Sequence, residues 1–130
     1  MSKKGSNEER QVVKIFEEKG YGAIRVPASG ARTKSDKPDV LAGNSKHYYA
    51  IEVKSSKNDY IYIREEQIEE LIRFSAKFGA TPLVCAKFTR KPYTIFNPYQ
   101  LKRTNSGKYT IKRDDLDSGK ILEEYISKEF

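Results

Sequence analysis

Cysteine is nearly absent from the chain: Cys85 is the single one among 130 residues. One cysteine excludes an internal disulfide and fits a reducing compartment, and its neighbours Val84 and Ala86 mark it as a core thiol. With one histidine as well, there is no cluster to hold a structural zinc ion. No apolar run approaches the roughly 18 residues of a membrane span, so the chain reads as soluble and cytoplasmic, with no membrane partner. Its first six residues are basic with nothing apolar behind them, which predicts no secretory leader. Internal repeats and low-complexity tracts are missing too, and the length predicts one domain with a modest core. Acidic residues are lacking over one long stretch. Residues 71–113 contain no Asp or Glu but ten Lys or Arg, which concentrates a net charge of +7. A single-sign segment of this kind is the footprint of a polyanion binder; a solvated lysine-rich surface is the plainer alternative. Many Lys, Glu, Ile and Tyr beside few Met, Cys and His also suit a protein from a hot environment.

What is present reads as an α/β pattern. Residues 6–19 predict a helix: Ser6 is a good N-cap, Glu9 completes a capping box, Val12, Val13 and Phe16 form the apolar face, and Gly20 stops it. Residues 21–26 predict a strand, and residues 27–38, small and basic without periodicity, predict a flexible loop. Residues 39–42 and 48–54 predict two strands joined as a hairpin around Gly43-Asn44-Ser45. An extended segment at 60–63 and a helix at 64–78 closed by Gly79 follow. Strands at 82–88 and 93–96, an edge strand at 109–111 and a short helix at 118–127 complete the pattern. The expected fold is a single α/β domain over residues 1–130, a central mixed β-sheet flanked by helices. Its core spans about residues 6–96, and residues 97–130 form a C-terminal extension.

The chemistry concentrates in Tyr49-Ala50-Ile51-Glu52-Val53-Lys54. Alternation on a strand sends Tyr49, Ile51 and Val53 to one face and Glu52 and Lys54 to the other. Asp39 begins the neighbouring strand, so two carboxylates converge from adjacent strands, a hard-oxygen site suited to Mg²⁺ or Mn²⁺. Lys54 beside them suits the orientation of water and stabilisation of charge on an attacked phosphate. A structural ion pair between Glu52 and Lys54 is the competing reading. Glu9 has two jobs open to it, a third carboxylate at the site or the capping box of its helix. Arg10 and Arg25 are candidate phosphate clamps, with surface ion pairs to nearby Glu residues as the alternative. Arg32, Lys34, Lys37 and Lys57 are further candidates for phosphate contact. On the second helix Ile68, Ile72 and Ser75 form one stripe and Phe74 and Phe78 another. The phenylalanine stripe suits a dimer interface, or else burial under the C-terminal segment.

The order Glu9 … Pro38-Asp39 … Glu52-Val53-Lys54 resembles the restriction-endonuclease-like nuclease pattern, P-D followed by E-x-K. With Lys4-Gly5, Glu9-Arg10, Arg25, Asp39-Val40-Leu41-Ala42-Gly43-Asn44 and Leu71-Ile72-Arg73-Phe74-Ser75-Ala76-Lys77-Phe78-Gly79, the chain resembles the archaeal Holliday junction resolvases over about residues 3–90. The resemblance implies a restriction-endonuclease-like fold and a homodimer that binds four-way DNA junctions and cuts two opposing strands with Mg²⁺. It implies metal ligation by Asp39 and Glu52 with Glu9 close by, a catalytic Lys54, and a contribution from Ser29 in the loop. That loop looks longer than in shorter members, so Ser29 carries over less securely than the strand residues. Recombination or replication proteins are open as further partners. A nuclease for duplexes, flaps or damaged DNA, and a non-catalytic nucleic-acid-binding module, are the competing functions.

Overall fold

The chain opens with α1 (Lys4–Glu18), a helix that buries Val12 and Phe16 completely. Gly20, at a positive φ of 88°, supplies the left-handed turn that lets the chain double back, and Tyr21 packs edge-on against Phe16. The strands β1 (Gly22–Arg25), β2 (Val40–Gly43), β3 (Tyr48–Ser56) and β4 (Tyr60–Arg64) follow, then α2 (Glu65–Phe78) and β5 (Thr81–Phe88). β6 (Thr94–Phe96), β7 (Lys102–Arg103), β8 (Lys108–Lys112), β9 (Lys120–Ile121) and α3 (Leu122–Ser127) complete the order. This computed structural model describes residues 4–27 and 37–127.

Six strands form one mixed sheet in the order β1-β2-β3-β5-β6-β9, and β4, β8 and β7 form a separate three-stranded sheet. β2 and β3 are an antiparallel hairpin, as the Gly-Asn-Ser signal predicts; Ser45 takes φ 72° and Asn44 Oδ1 accepts from the amides of Lys46 and His47. β3 and β5 run parallel over their whole length, with α2 as the crossover between them. One face of the large sheet, carrying Tyr49, Ile51 and Val53, joins Val12 and Phe16 of α1 and Leu122 and Ile126 of α3 in one core. The other face, with Ala50, Val84, Ala86 and Phe88, packs with Ile68 and Leu71 of α2 and Ile61, Ile63 and Ile111 of the small sheet.

Several boundaries depart from the sequence reading. α1 begins at Lys4, so Ser6 lies inside the helix and not at its cap. The Ser6–Glu9 capping box does not form. α2 buries Ile68, Leu71 and Ser75 with Ile72 at the flank, because spacings of three and four residues centre its stripe one position earlier than expected. Its end is as predicted: Gly79, at φ 88°, closes the helix by donating to the Ser75 carbonyl. Residues 97–127 contribute β8 as the middle strand of the small sheet, β9 on the large one, and α3 in the core. β8 is therefore not an edge, and α3 starts later than the expected 118 because residues Arg113–Ser118 wind as 3-10 turns.

Candidate active site

β3 brings the reactive groups together because neighbouring strands fix it on both sides. The Asp39 amide donates to the Ile51 carbonyl at 3.0 Å, one step beyond the Val40–Ile51 pair of the β2–β3 ladder. Asp39 therefore stands beside Glu52, and its Oδ2 accepts a 2.8 Å bond from the Val53 amide. Alternation along β3 puts Lys54 on the same side as Glu52, with Nζ 3.7 Å from Glu52 Oε2. α2 covers this side. There Gln67 Oε1 accepts from Lys54 Nζ and from the Arg64 amide, each at 3.4 Å.

These acids sit where charge is costly. The Glu52 side chain is 13% exposed, and burial first and Asp39 second push its carboxyl up to about 8, against the opposing ammonium of Lys54. Glu9 and Glu70 raise it further. Burial also raises Asp39, in spite of the Val53 amide and the charges of Lys54 and Arg25. Glu9 is raised by burial and then by Asp39, while Arg25 pulls the other way. The three carboxylates thus repel one another across one small region, and the Lys54 ammonium and the Arg25 guanidinium offset that repulsion only in part. Hard oxygen donors short of positive charge are the donor set that a divalent cation fits.

The sequence-predicted residues do not all meet at one point. Among the described residues, no three His, Cys, Asp or Glu side chains lie close enough to ligate one ion. Arg25 occupies Glu9: its Nε and Nη2 donate to Glu9 Oε1 at 3.2 Å each, and Nη2 also reaches Ser6 Oγ at 3.1 Å. The physical reason is position. Arg25 lies opposite Val40 on β1, beside Asp39, where its guanidinium relieves the repulsion between Glu9 and Asp39. Arg10, Lys37 and Lys57 are exposed, and the charge of Arg10 acts on Glu9. Ser29, Arg32 and Lys34 lie outside the described residues.

The phenylalanine stripe divides. Phe78 is 56% exposed, whereas Phe74 is half-buried and packs against the core under α2, with the two rings stacked at 5.3 Å. Cys85 is fully buried, its thiol pushed up to about 12 by desolvation, as a core residue should be. Gln67 was not among the sequence-predicted residues. A signal existed: it shares the inward side of α2 with Leu71, four residues on, where a polar side chain needs a partner.

Comparison with known proteins gives a consistent result. The chain matches, over residues 1–130, the family model described as archaeal Holliday junction resolvase (Hjc). The crossover junction endodeoxyribonuclease Hjc of Sulfolobus acidocaldarius is 37% identical over 124 residues, which cover 95% of this chain and 86% of that protein. Its namesake in Archaeoglobus fulgidus is 38% identical over 104 residues, 80% of this chain and 76% of the other. The 1.6 Å structure of Archaeoglobus fulgidus Hjc, a Holliday junction resolvase from an archaeal hyperthermophile, superposes with a TM-score of 0.85 at 31% identity. That superposition covers 94% of this chain and 99% of the other. The mixed sheet with its flanking helices is accordingly a restriction-endonuclease-like fold, and the chain belongs to the archaeal Holliday junction resolvase family.

Proposed function

We propose that this chain is a structure-selective DNA endonuclease that resolves four-way junctions by paired, Mg²⁺-dependent phosphodiester hydrolysis as a homodimer, with Mn²⁺ able to replace Mg²⁺. The observation that carries the proposal is the pairing of Asp39 with a buried Glu52 on the adjacent strand, beside the Lys54 ammonium. The names of the relatives, which are crossover junction endodeoxyribonucleases, support the same substrate.

Each side chain then has a job set by its surroundings. The Val53 amide holds one oxygen of Asp39, which fixes the carboxylate with its other oxygen available as a ligand among the described residues. Glu52 supplies the second carboxylate, and Glu9 lies near enough to feel both. When bound by these acids, a divalent cation supplies Lewis-acid polarisation of the phosphate and a more acidic water. Lys54, oriented by Gln67, directs its ammonium to the charge that develops on the attacked phosphate. Arg10, Arg25, Lys37 and Lys57, with Arg32 and Lys34, hold the sugar-phosphate backbone without reading bases, and Ser29 is carried over from the family resemblance.

A twofold dimer gives two such centres related by symmetry, as paired cuts across a four-way junction require. Phe78 anchors that interface with Phe74 behind it. On the same sheet face, Ile24 is 58% exposed opposite the half-buried Leu41, and Tyr48 is 46% exposed, which widens the apolar surface available to a second copy. This reading places the chain inside the cell with its DNA. Among the described residues no helix is long and apolar enough to cross a membrane.

The direct test incubates labelled four-way junctions with the protein and Mg²⁺. Paired nicks are expected, lost in Asp39→Asn and surviving an excess of linear duplex of equal length. Junctions left intact across Mg²⁺, Mn²⁺ and a range of pH would overturn the proposal. Calorimetric titration with Mn²⁺ should show binding that Asp39→Asn weakens.

A further inference from the structure

The small sheet presents an outward face that the catalytic reading does not use. Tyr60 and Tyr62 on β4 are 45% and 55% exposed, while Ile61 and Ile63 between and beside them point into the core. The two rings lie nearly parallel, 17° apart with centroids 5.8 Å apart. Directly paired residues of antiparallel strands share a face, and here Tyr60 pairs with Lys112, Tyr62 with Thr110, and Arg64 with Lys108. Lys102 of β7 extends the row, paired with Thr110. Asp115 neutralises Lys102 at 3.3 Å. Among the described residues, Arg64, Lys108 and Lys112 make no ion pair.

We infer that this face is a second DNA-binding surface, one that takes unpaired nucleotides by stacking their bases on Tyr60 and Tyr62 and their phosphates against Arg64, Lys108 and Lys112. The inference rests on the DNA-cleaving reading for its biological setting and deepens it. Aromatic faces interleaved with cations on an open sheet suit single strands, because every exposed base has a π-face and the backbone runs past at regular intervals. A closed duplex offers the same phosphates but keeps its base faces inside the stack. Location adds to the case. Arg64 ends β4, and its amide shares Gln67 Oε1 with Lys54 Nζ. The end of β4 is thus tied to the same glutamine as the amine, which puts Arg64 between the tyrosine face and the acidic site.

The test is fluorescence anisotropy with two labelled probes, an oligothymidylate of about fifteen nucleotides and a duplex of the same length. Tyr60→Leu/Tyr62→Leu keeps apolar bulk on the strand but removes both π-faces, and a melting curve confirms that it folds. The variant should weaken oligothymidylate binding about tenfold or more and duplex binding by less than about twofold, and Tyr60→Phe/Tyr62→Phe should restore the first. Equal losses on both probes, or no loss on the single strand, would overturn the inference. So would binding of labelled polyglutamate that the leucine variant weakens while oligothymidylate does not bind, which points to an acidic protein partner instead. The probe has no junction and nothing is cut. Failure here therefore leaves the resolvase reading standing, and absence of junction cleavage leaves this surface standing.

Discussion

Glu52→Gln separates two consequences of one carboxylate. In the folded chain Glu52 titrates at about 8, whereas a solvated glutamate releases its proton near 4.5. Between those values the folded state keeps a proton that the unfolded state gives up. Stability therefore falls as pH rises from 4.5 towards 8, and the loss is complete above 8. At about 1.4 kcal/mol per pH unit, the loss has a ceiling of roughly 5 kcal/mol. Glutamine has no charge to bury and keeps the same shape. The variant should lose the share of the pH slope that Glu52 contributes, Asp39 and Glu9 keeping theirs, and in a chelating buffer at about pH 8.5 exceed the parent by about 2–4 kcal/mol. For a chain of this size that is a rise of about 10 °C in melting temperature. At about pH 4.5, where the parent glutamate is itself neutral, the two should agree within about 0.5 kcal/mol. Differential scanning calorimetry at both pH values measures this, and in Mg²⁺, where the parent cuts junctions, the variant should show no cleavage. If the variant melts at or below the parent at the higher pH, Lys54 pairs with Glu52 strongly enough to outweigh burial, and the reasoning fails.

Lys54→Ala removes the one cation that, among the described residues, lies within salt-bridge distance of Glu52. Junction cleavage should drop by about a hundredfold or more, with junction affinity in a gel shift changed by less than about threefold. Phe78→Asp puts a charge on the exposed half of the phenylalanine pair, and sedimentation should show the monomer without loss of the fold. Phe74→Ala, by contrast, opens a gap against the core and should cost about 1–3 kcal/mol in a denaturant titration.

The reactive strand was legible because its period of two is strict and its exceptions are charged. Tyr49, Ile51 and Val53 could only be core, which forced Glu52 and Lys54 onto the other face, and the Gly-Asn-Ser turn fixed which residue of β2 would stand beside them. The ends of α2 and the hairpin were legible for similar local reasons. Glu9 was not. Its capping box depended on where the helix begins, a boundary that local signals set poorly, and its actual partner Arg25 lies sixteen positions away. The second sheet was hidden because β4 and β8 pair across more than forty residues, and each alone reads as a short, half-exposed segment. Gln67 escaped because a single glutamine on a charged helix looks like surface until the strand beneath it is known.

A buried acid pair survives in so short a chain because the strand that carries it is held from the opposite face. Ile51 and Val53 flank Glu52 in sequence and are 0% and 6% exposed in the core built with α1 and α3. For Glu52 to escape into water, β3 would have to leave its ladders with β2 and β5 and withdraw those two side chains from that core. Burying a residue such as isoleucine is worth about 1.5–3 kcal/mol, so moving both costs about as much as the repulsion that would drive the movement. The reactive face is therefore only as rigid as the far core. Leu122 and Ile126 belong to that core, fully buried although they stand seventy and more positions beyond the acids. The C-terminal helix carries no reactive group, yet it helps keep Asp39 and Glu52 in their costly register.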